Sequence, residues 1–107
     1  MISNFQNITV LGAGKSGVGA AILGIKQNLN VVVYNDSKIK DENIILLNKY
    51  GVKWHIQDYT SSDTLDNDLL VISPGILDNH PVILHFEEKS RPVISEIEFA
   101  SYFCDAK

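Results

Sequence analysis

Gly12, Ala13, Gly14, Lys15, Ser16 and Gly17 spell G-x-G-x-x-G, a spacing that carries chemistry when it joins a strand to a helix. The first glycine permits the tight turn, the second lets a phosphate approach the backbone, and the third lets the helix pack on the strand. The helix start then offers free N–H groups and the positive end of its dipole to that phosphate. The competing reading is a strand-to-helix turn with a purely structural role. The phosphate loop of ATPases is a different pattern, G-x-x-x-x-G-K followed by Ser or Thr. Here Lys15 and Ser16 precede Gly17, so ATP hydrolysis has no support. Lys15 is unfavourable beside a helix N-terminus unless an anion is close, so it either helps to hold a diphosphate or is a solvated lysine.

Asp36 follows the glycine loop at the end of a second apolar run, 19 residues after Gly17, where a carboxylate can reach the nucleoside of a ligand whose phosphates sit on the loop. An ionised carboxylate only accepts, so it needs a donor, and either the ribose hydroxyls of NAD or the imide N–H of uracil would serve. Asp36 alone does not choose between them, and a loop or cap aspartate is the plain alternative. Ser73, Pro74, Gly75 and Ile76 follow a later strand. In a sheet ordered 3-2-1-4-5 that strand end lies beside the glycine loop, at the topological switch point where ligands bind. Gly75 can then bring bare backbone to the ligand while Pro74 fixes the approach, or the segment is a simple turn. His55, His80 and His85 lack metal-site spacing and read as surface or capping residues. Ser16 and Ser73 lack a histidine and acid relay, so nucleophilic catalysis is not indicated.

The elements that must position these residues are legible from periodicity. Ile8 to Leu11 form a buried strand ending at Gly12, and Val18, Ala21, Ile22, Ile25 and Leu29 mark one face of a helix from about 15 to 28. Gly19 and Gly24 weaken that helix slightly. Val31 to Tyr34 are a second strand, and Asp41 is placed to cap a helix carrying Ile44, Ile45, Leu47 and Tyr50 that Gly51 ends. Val52 to Ile56 form a weaker third strand, with Trp54 a partly buried aromatic, and residues 57–68 read as a loop with at most one helical turn. Leu69 to Ile72 are the fourth strand. Asn79 is placed to cap the next helix with Pro81 in its first turn, and Pro92 to Ile94 are the fifth strand. Ser95 and Glu98 have capping-box spacing before a last helix whose apolar residues are Phe99, Tyr102 and Phe103. This alternation requires right-handed crossovers and hence a parallel sheet covered on both faces. The expected fold is α/β, a Rossmann-like, doubly wound parallel sheet of five strands in the order 3-2-1-4-5.

With 107 residues and 45% hydrophobic composition the chain reads as a single domain, 1–107, able to bury roughly two thirds of its unfolded surface without disulfides or metal. A six-stranded dinucleotide domain would need about 150 residues, so the chain is short for that. A net charge of -4 offers no field for nucleic acid or anionic lipid. Neither an export signal nor a membrane span is visible, and the lone Cys104 suits a reducing compartment, so the expected location is cytoplasmic.

Together, Leu11 to Ala21, Asn35-Asp36-Ser37, Ser73-Pro74-Gly75-Ile76 and Ser95-Glu96-Ile97-Glu98 resemble the N-terminal domain of the Mur ligases, across essentially the whole chain. Within that family the Ser-Pro-Gly-Ile motif resembles the D-glutamate-adding branch, since the alanine-adding branch tends to have Ser-Ser-Ala-Ile there. The resemblance implies binding of the UDP portion of UDP-N-acetylmuramoyl-L-alanine during peptidoglycan synthesis. It places backbone at Gly14, Lys15 and Ser16 against the diphosphate, Asp36 and Ser37 against uracil, and Ser73, Pro74 and Gly75 along the nucleotide cleft. Lys15 stands where similar sequences often carry an acidic or apolar residue. The resemblance further implies an N-terminal piece of a three-domain ligase. The full enzyme uses ATP and Mg2+ to activate the substrate carboxylate as an acyl phosphate, which the amine of D-glutamate attacks. Its central ATP-binding and C-terminal glutamate-binding domains would be the partners of this piece, which itself is expected to bind no cofactor or metal and to be inactive alone. A small NAD-binding regulatory domain and a non-catalytic interaction module are the other readings.

Overall fold

Strands rich in Val, Ile and Leu on both faces are stable only when helices cover both sides of the sheet, which is the arrangement found in the computed structural model. It describes residues 5–56 and 67–103. The strands are β1 (Asn7–Leu11), β2 (Asn30–Asn35), β3 (Lys53–Ile56), β4 (Leu69–Ile72) and β5 (Val93–Ser95). The helices are α1 (Lys15–Lys26), α2 (Asp41–Lys49), α3 (Pro81–Glu88) and α4 (Glu96–Phe103). All five strands are parallel in the order β3-β2-β1-β4-β5, with Val10 in register with Val33 on one side and Val71 on the other. The expected topology is thus the observed one.

Side-chain alternation divides the core in two. Ile8, Val10, Val31, Val33, Leu69 and Val71 meet Val18, Ala21, Leu47 and Phe99, which come from α1, α2 and α4. The alternate residues Leu11, Val32, Tyr34 and Leu70 meet Val82, Ile83 and Phe86 of α3 on the other face. Gly24 is not a mere weak point of α1. A Cβ there would lie 2.9 Å from Val31 Cγ2 and 3.0 Å from Ile8 Cδ1, so its absence is what lets α1 sit down on the sheet.

The helix ends show where local signals were read correctly and where they were not. Gly51, at φ +72°, ends α2 in a Schellman arrangement, with its N–H on Asn48 O and the Val52 N–H on Leu47 O. Asn28 (φ +65°) and Ser90 (φ +58°) end α1 and α3 in the same way, and neither stood out in the sequence. Asp41 does not cap α2. The cap position belongs to Lys40, whose side chain makes no capping bond, and Asp41 lies in the first turn, where its charge complements the dipole. Asn79 does not cap α3 either: His80 does, its Nδ1 accepting the Val82 N–H at 3.1 Å, with Pro81 directly after it. Ser95 Oγ accepts the Glu98 N–H at 3.0 Å as the capping box requires, and Glu98 instead receives the Tyr102 hydroxyl at 3.4 Å. Tyr102 is accordingly exposed while Phe99 is fully buried. Most of the expected 57–68 loop, and Cys104, lie outside the described residues.

Candidate functional site

Gly12 follows β1 with φ +109°, a conformation that an L side chain rarely adopts. A Cβ on it would also strike Ser73, 2.6 Å from Oγ and 2.8 Å from Cβ. The turn it makes brings the start of α1 back over the sheet so closely that a Cβ on Gly17 would overlap the Gly12 carbonyl oxygen. Gly14 differs from both. Nothing lies within 4 Å of where its Cβ would be, its φ is an ordinary -76°, and it is exposed. Two of the three glycines are therefore required by the protein's own packing, and the third faces open space. No side chain caps α1, and no acidic residue stands in its first turn, so its leading amides remain for solvent or an anion.

The loop is held by groups that the motif does not contain. Asn35 Oδ1 accepts the Ala13 N–H at 2.8 Å, while Asn35 Nδ2 donates to Ser37 O at 2.8 Å. Buried Asn43, from α2, donates through Nδ2 to Ala13 O at 3.2 Å. The N–H and the C=O of Ala13, which belong to the peptide units before and after it, are thus satisfied from β2 and α2, which holds both units in place beside the phosphate approach. On the other side Ser73 Oγ lies 3.1 Å from Glu96 Oε2 and 3.5 Å from Gly12 O. The hydroxyl has one hydrogen, and the shorter, charge-assisted bond to the carboxylate takes it. Asn43, and Glu96 in its contact with Ser73, were not singled out from the sequence, because their partners are 30 and 23 residues away.

Around this frame Gly12 to Gly17, Asn35 and Ser73 to Ile76 line a cleft of about 470 Å³ at the carboxyl edge of β1 and β4. The structure therefore brings Gly14, Lys15 and Ser16 together with Ser73, Pro74 and Gly75. Gly75 has φ +92° and lies exposed at the cleft. Asp36 and Ser37 stand at the same sheet edge directly after β2, but Asn35 rather than either of them lines that cleft. A hollow of about 320 Å³ adjoins it, bordered by Gly14, Lys15, Lys38, Lys40, Glu42 and Asn43 among others. Three lysines against one glutamate give this corner a positive character that the acidic chain as a whole lacks. Asp36 is exposed, and its Oδ1 lies 2.8 Å from His80 Nε2. A further concavity of about 530 Å³ opens at the opposite, amino edge between Asn7, Asn30, Gly51 and Asn67. It has neither a helix N-terminus nor a glycine loop among its lining residues, so the carboxyl-edge cleft is the candidate site. Among the described residues no three His, Cys, Asp or Glu side chains group as metal ligands, and no helix is long and apolar enough to cross a membrane.

Comparison with known proteins agrees with this geometry. Residues 6–95 match the family described as Mur ligase MurD-like, N-terminal domain. A UDP-N-acetylmuramoylalanine--D-glutamate ligase of Bacteroides fragilis is 43% identical over 102 residues, 95% of this chain and 23% of that protein. The chain thus spans about a quarter of the length of that relative. Among solved structures, the UDP-N-acetylmuramate-alanine ligase MurC of Thermotoga maritima aligns with TM-score 0.76 at 18% identity, over 91% of this chain and 22% of that one. A UDP-N-acetylmuramate:L-alanyl-gamma-D-glutamyl-meso-diaminopimelate ligase of Neisseria meningitides aligns at 0.77 and 20% identity, over 92% and 31%. At such identities these two establish the shared Rossmann-like fold, while the sequence match over most of the chain establishes kinship. The glycine loop, the Ser-Pro-Gly turn facing it and this match together place the chain in the MurD-like N-terminal domain family of the Mur ligases.

Proposed function

We propose that this chain binds the uridine diphosphate portion of UDP-N-acetylmuramoyl-L-alanine, as the N-terminal domain of a D-glutamate-adding ligase of peptidoglycan synthesis. The observation that carries the reading is the cleft at the switch point between β1 and β4, where an uncapped helix N-terminus faces the turn Ser73 to Gly75. In this reading the diphosphate lies on the backbone of Gly14, Lys15 and Ser16, and Asp36 with Ser37 receives the uracil. Ser73, Pro74 and Gly75 form the opposite wall. Lys15, Lys38 and Lys40 supply favourable charge for an anionic ligand. The relatives' name for their substrate supports uridine over NAD as the nucleoside.

The whole enzyme's ATP, Mg2+ and D-glutamate would then be handled by the portion of the relatives' length that this chain does not span. The sequence has no G-x-x-x-x-G-K pattern for ATP. A cytoplasmic location goes with this role, and neither nucleic acid nor membrane is a partner in it.

The test is calorimetric titration with UDP, UDP-N-acetylmuramoyl-L-alanine and NADH, using wild type and Asp36→Ala. Both uridine ligands should bind, and losing a charge-assisted hydrogen bond should weaken them by about 1.5 to 3 kcal/mol, roughly ten- to a hundredfold. Tight NADH binding with none for the uridine ligands would reject the reading.

A further inference from the structure

His80 joins two elements far apart in sequence. Its Nδ1 accepts the Val82 N–H at 3.1 Å, and its Nε2 lies 2.8 Å from Asp36 Oδ1. The imidazole is 9% exposed, whereas the Asp36 side chain is 53% exposed. A ring nitrogen that accepts a backbone N–H carries no proton of its own. The cap therefore assigns the ring hydrogen to Nε2, which donates it to Asp36. The ring is anchored in its turn, because Val82, Ile83 and Phe86 of the helix it caps are buried against Leu11, Tyr34 and Leu70.

We propose that His80 is the positioning residue for Asp36, holding one carboxylate oxygen so that the other is presented, already oriented, to the donor of the bound base. This rests on the reading above, in which Asp36 meets the uracil. An exposed aspartate samples several rotamers, and a ligand that needs one of them loses affinity for ordering it. A single firm hydrogen bond from a side chain fixed to the core removes that cost before the ligand arrives. The core connects through α3 to His80 and so to Asp36, although Asp36 stands outside the glycine-loop cleft.

A double-mutant cycle separates positioning from capping. His80→Asn keeps a good helix cap but is too short to reach Asp36. The 107-residue chain is titrated with UDP and with UDP-N-acetylmuramoyl-L-alanine as wild type, His80→Asn, Asp36→Ala and the double variant, with thermal melts confirming that each is folded. In the Asp36 background His80→Asn should weaken both ligands roughly two- to tenfold, the worth of one ordinary hydrogen bond. In the Asp36→Ala background it should change affinity hardly at all. An equal loss in both backgrounds, or no loss in the first, overturns the positioning role while leaving the uridine reading intact. Wild type that binds neither uridine ligand overturns both. Independently of ligand, long-range proton–nitrogen NMR correlations should report the Nε2–H tautomer of His80, and the Nδ1–H tautomer would refute the assignment.

Discussion

Gly14 and Gly17 differ by three positions in one motif, yet the structure assigns them opposite sensitivities, and this contrast tests the phosphate reading directly. A Cβ on Gly17 meets the carbonyl oxygen of Gly12, which is backbone and has no rotamer to change. Gly17→Ala must therefore separate α1 from β1, and overpacking of this kind costs typically about 1 to 3 kcal/mol or more. For a domain of this size that is roughly 4 to 8 °C in Tm per kcal/mol. Gly14 has open space and extended backbone. A Cβ there meets nothing within 4 Å, and the expected loss for valine is that of an apolar residue at a helix cap, about 1 kcal/mol. Its side chain would nevertheless stand where a diphosphate must approach the leading amides of α1. Gly14→Val should thus remain folded in urea titration, within about 1 kcal/mol of wild type, while calorimetry shows UDP affinity reduced at least tenfold. Gly17→Ala should do the reverse in order of size, losing stability first. A folded Gly14→Val protein with unchanged UDP affinity would refute the reasoning, because the phosphates would then lie elsewhere.

Gly24→Ala should destabilise by about 1 kcal/mol despite alanine's better helix propensity, since its Cβ would press on Val31 and Ile8; chemical denaturation with a gain in stability would contradict the packing argument. Asn35→Ala leaves the Ala13 N–H without its acceptor and should cost about 1 to 3 kcal/mol by the same assay, with UDP binding weakened as the loop loosens. Phe99→Ala empties a fully buried site beneath α1 and should cost about 3 to 5 kcal/mol in thermal or urea unfolding. Incubated with ATP, magnesium, D-glutamate and UDP-N-acetylmuramoyl-L-alanine, the 107-residue chain should release no phosphate above background, and measurable turnover would overturn the assignment of catalysis to other domains.

The amino-acid sequence by itself determined the strands, the helices and their order, because apolar runs such as Val31 to Tyr34 and the spacing Val18, Ala21, Ile22, Ile25 are local signals. Handedness of the crossovers then makes the sheet parallel and covered on both faces, and the expected order β3-β2-β1-β4-β5 is the one present. The positions of Gly12, Gly14, Gly17 and Gly75 at one sheet edge followed from the same reasoning. What only the tertiary structure decided is how these residues are held. Asn35 on the Ala13 N–H and Asn43 on the Ala13 C=O, Glu96 on Ser73, and His80 on Asp36 are pairings across 22 to 44 residues. Side-chain hydrogen bonds at such separations leave no periodicity to read. Two expected helix caps, Asp41 and Asn79, failed for a related reason. Asp41 and Asn79 are good caps by residue type, but a cap works only where the chain turns, and that position is set by how α2 and α3 dock on the sheet, one residue earlier at Lys40 and one later at His80. Gly24 shows the same limit in reverse, since propensity sees a flaw in a helix and only the neighbouring strands reveal the contact that requires it.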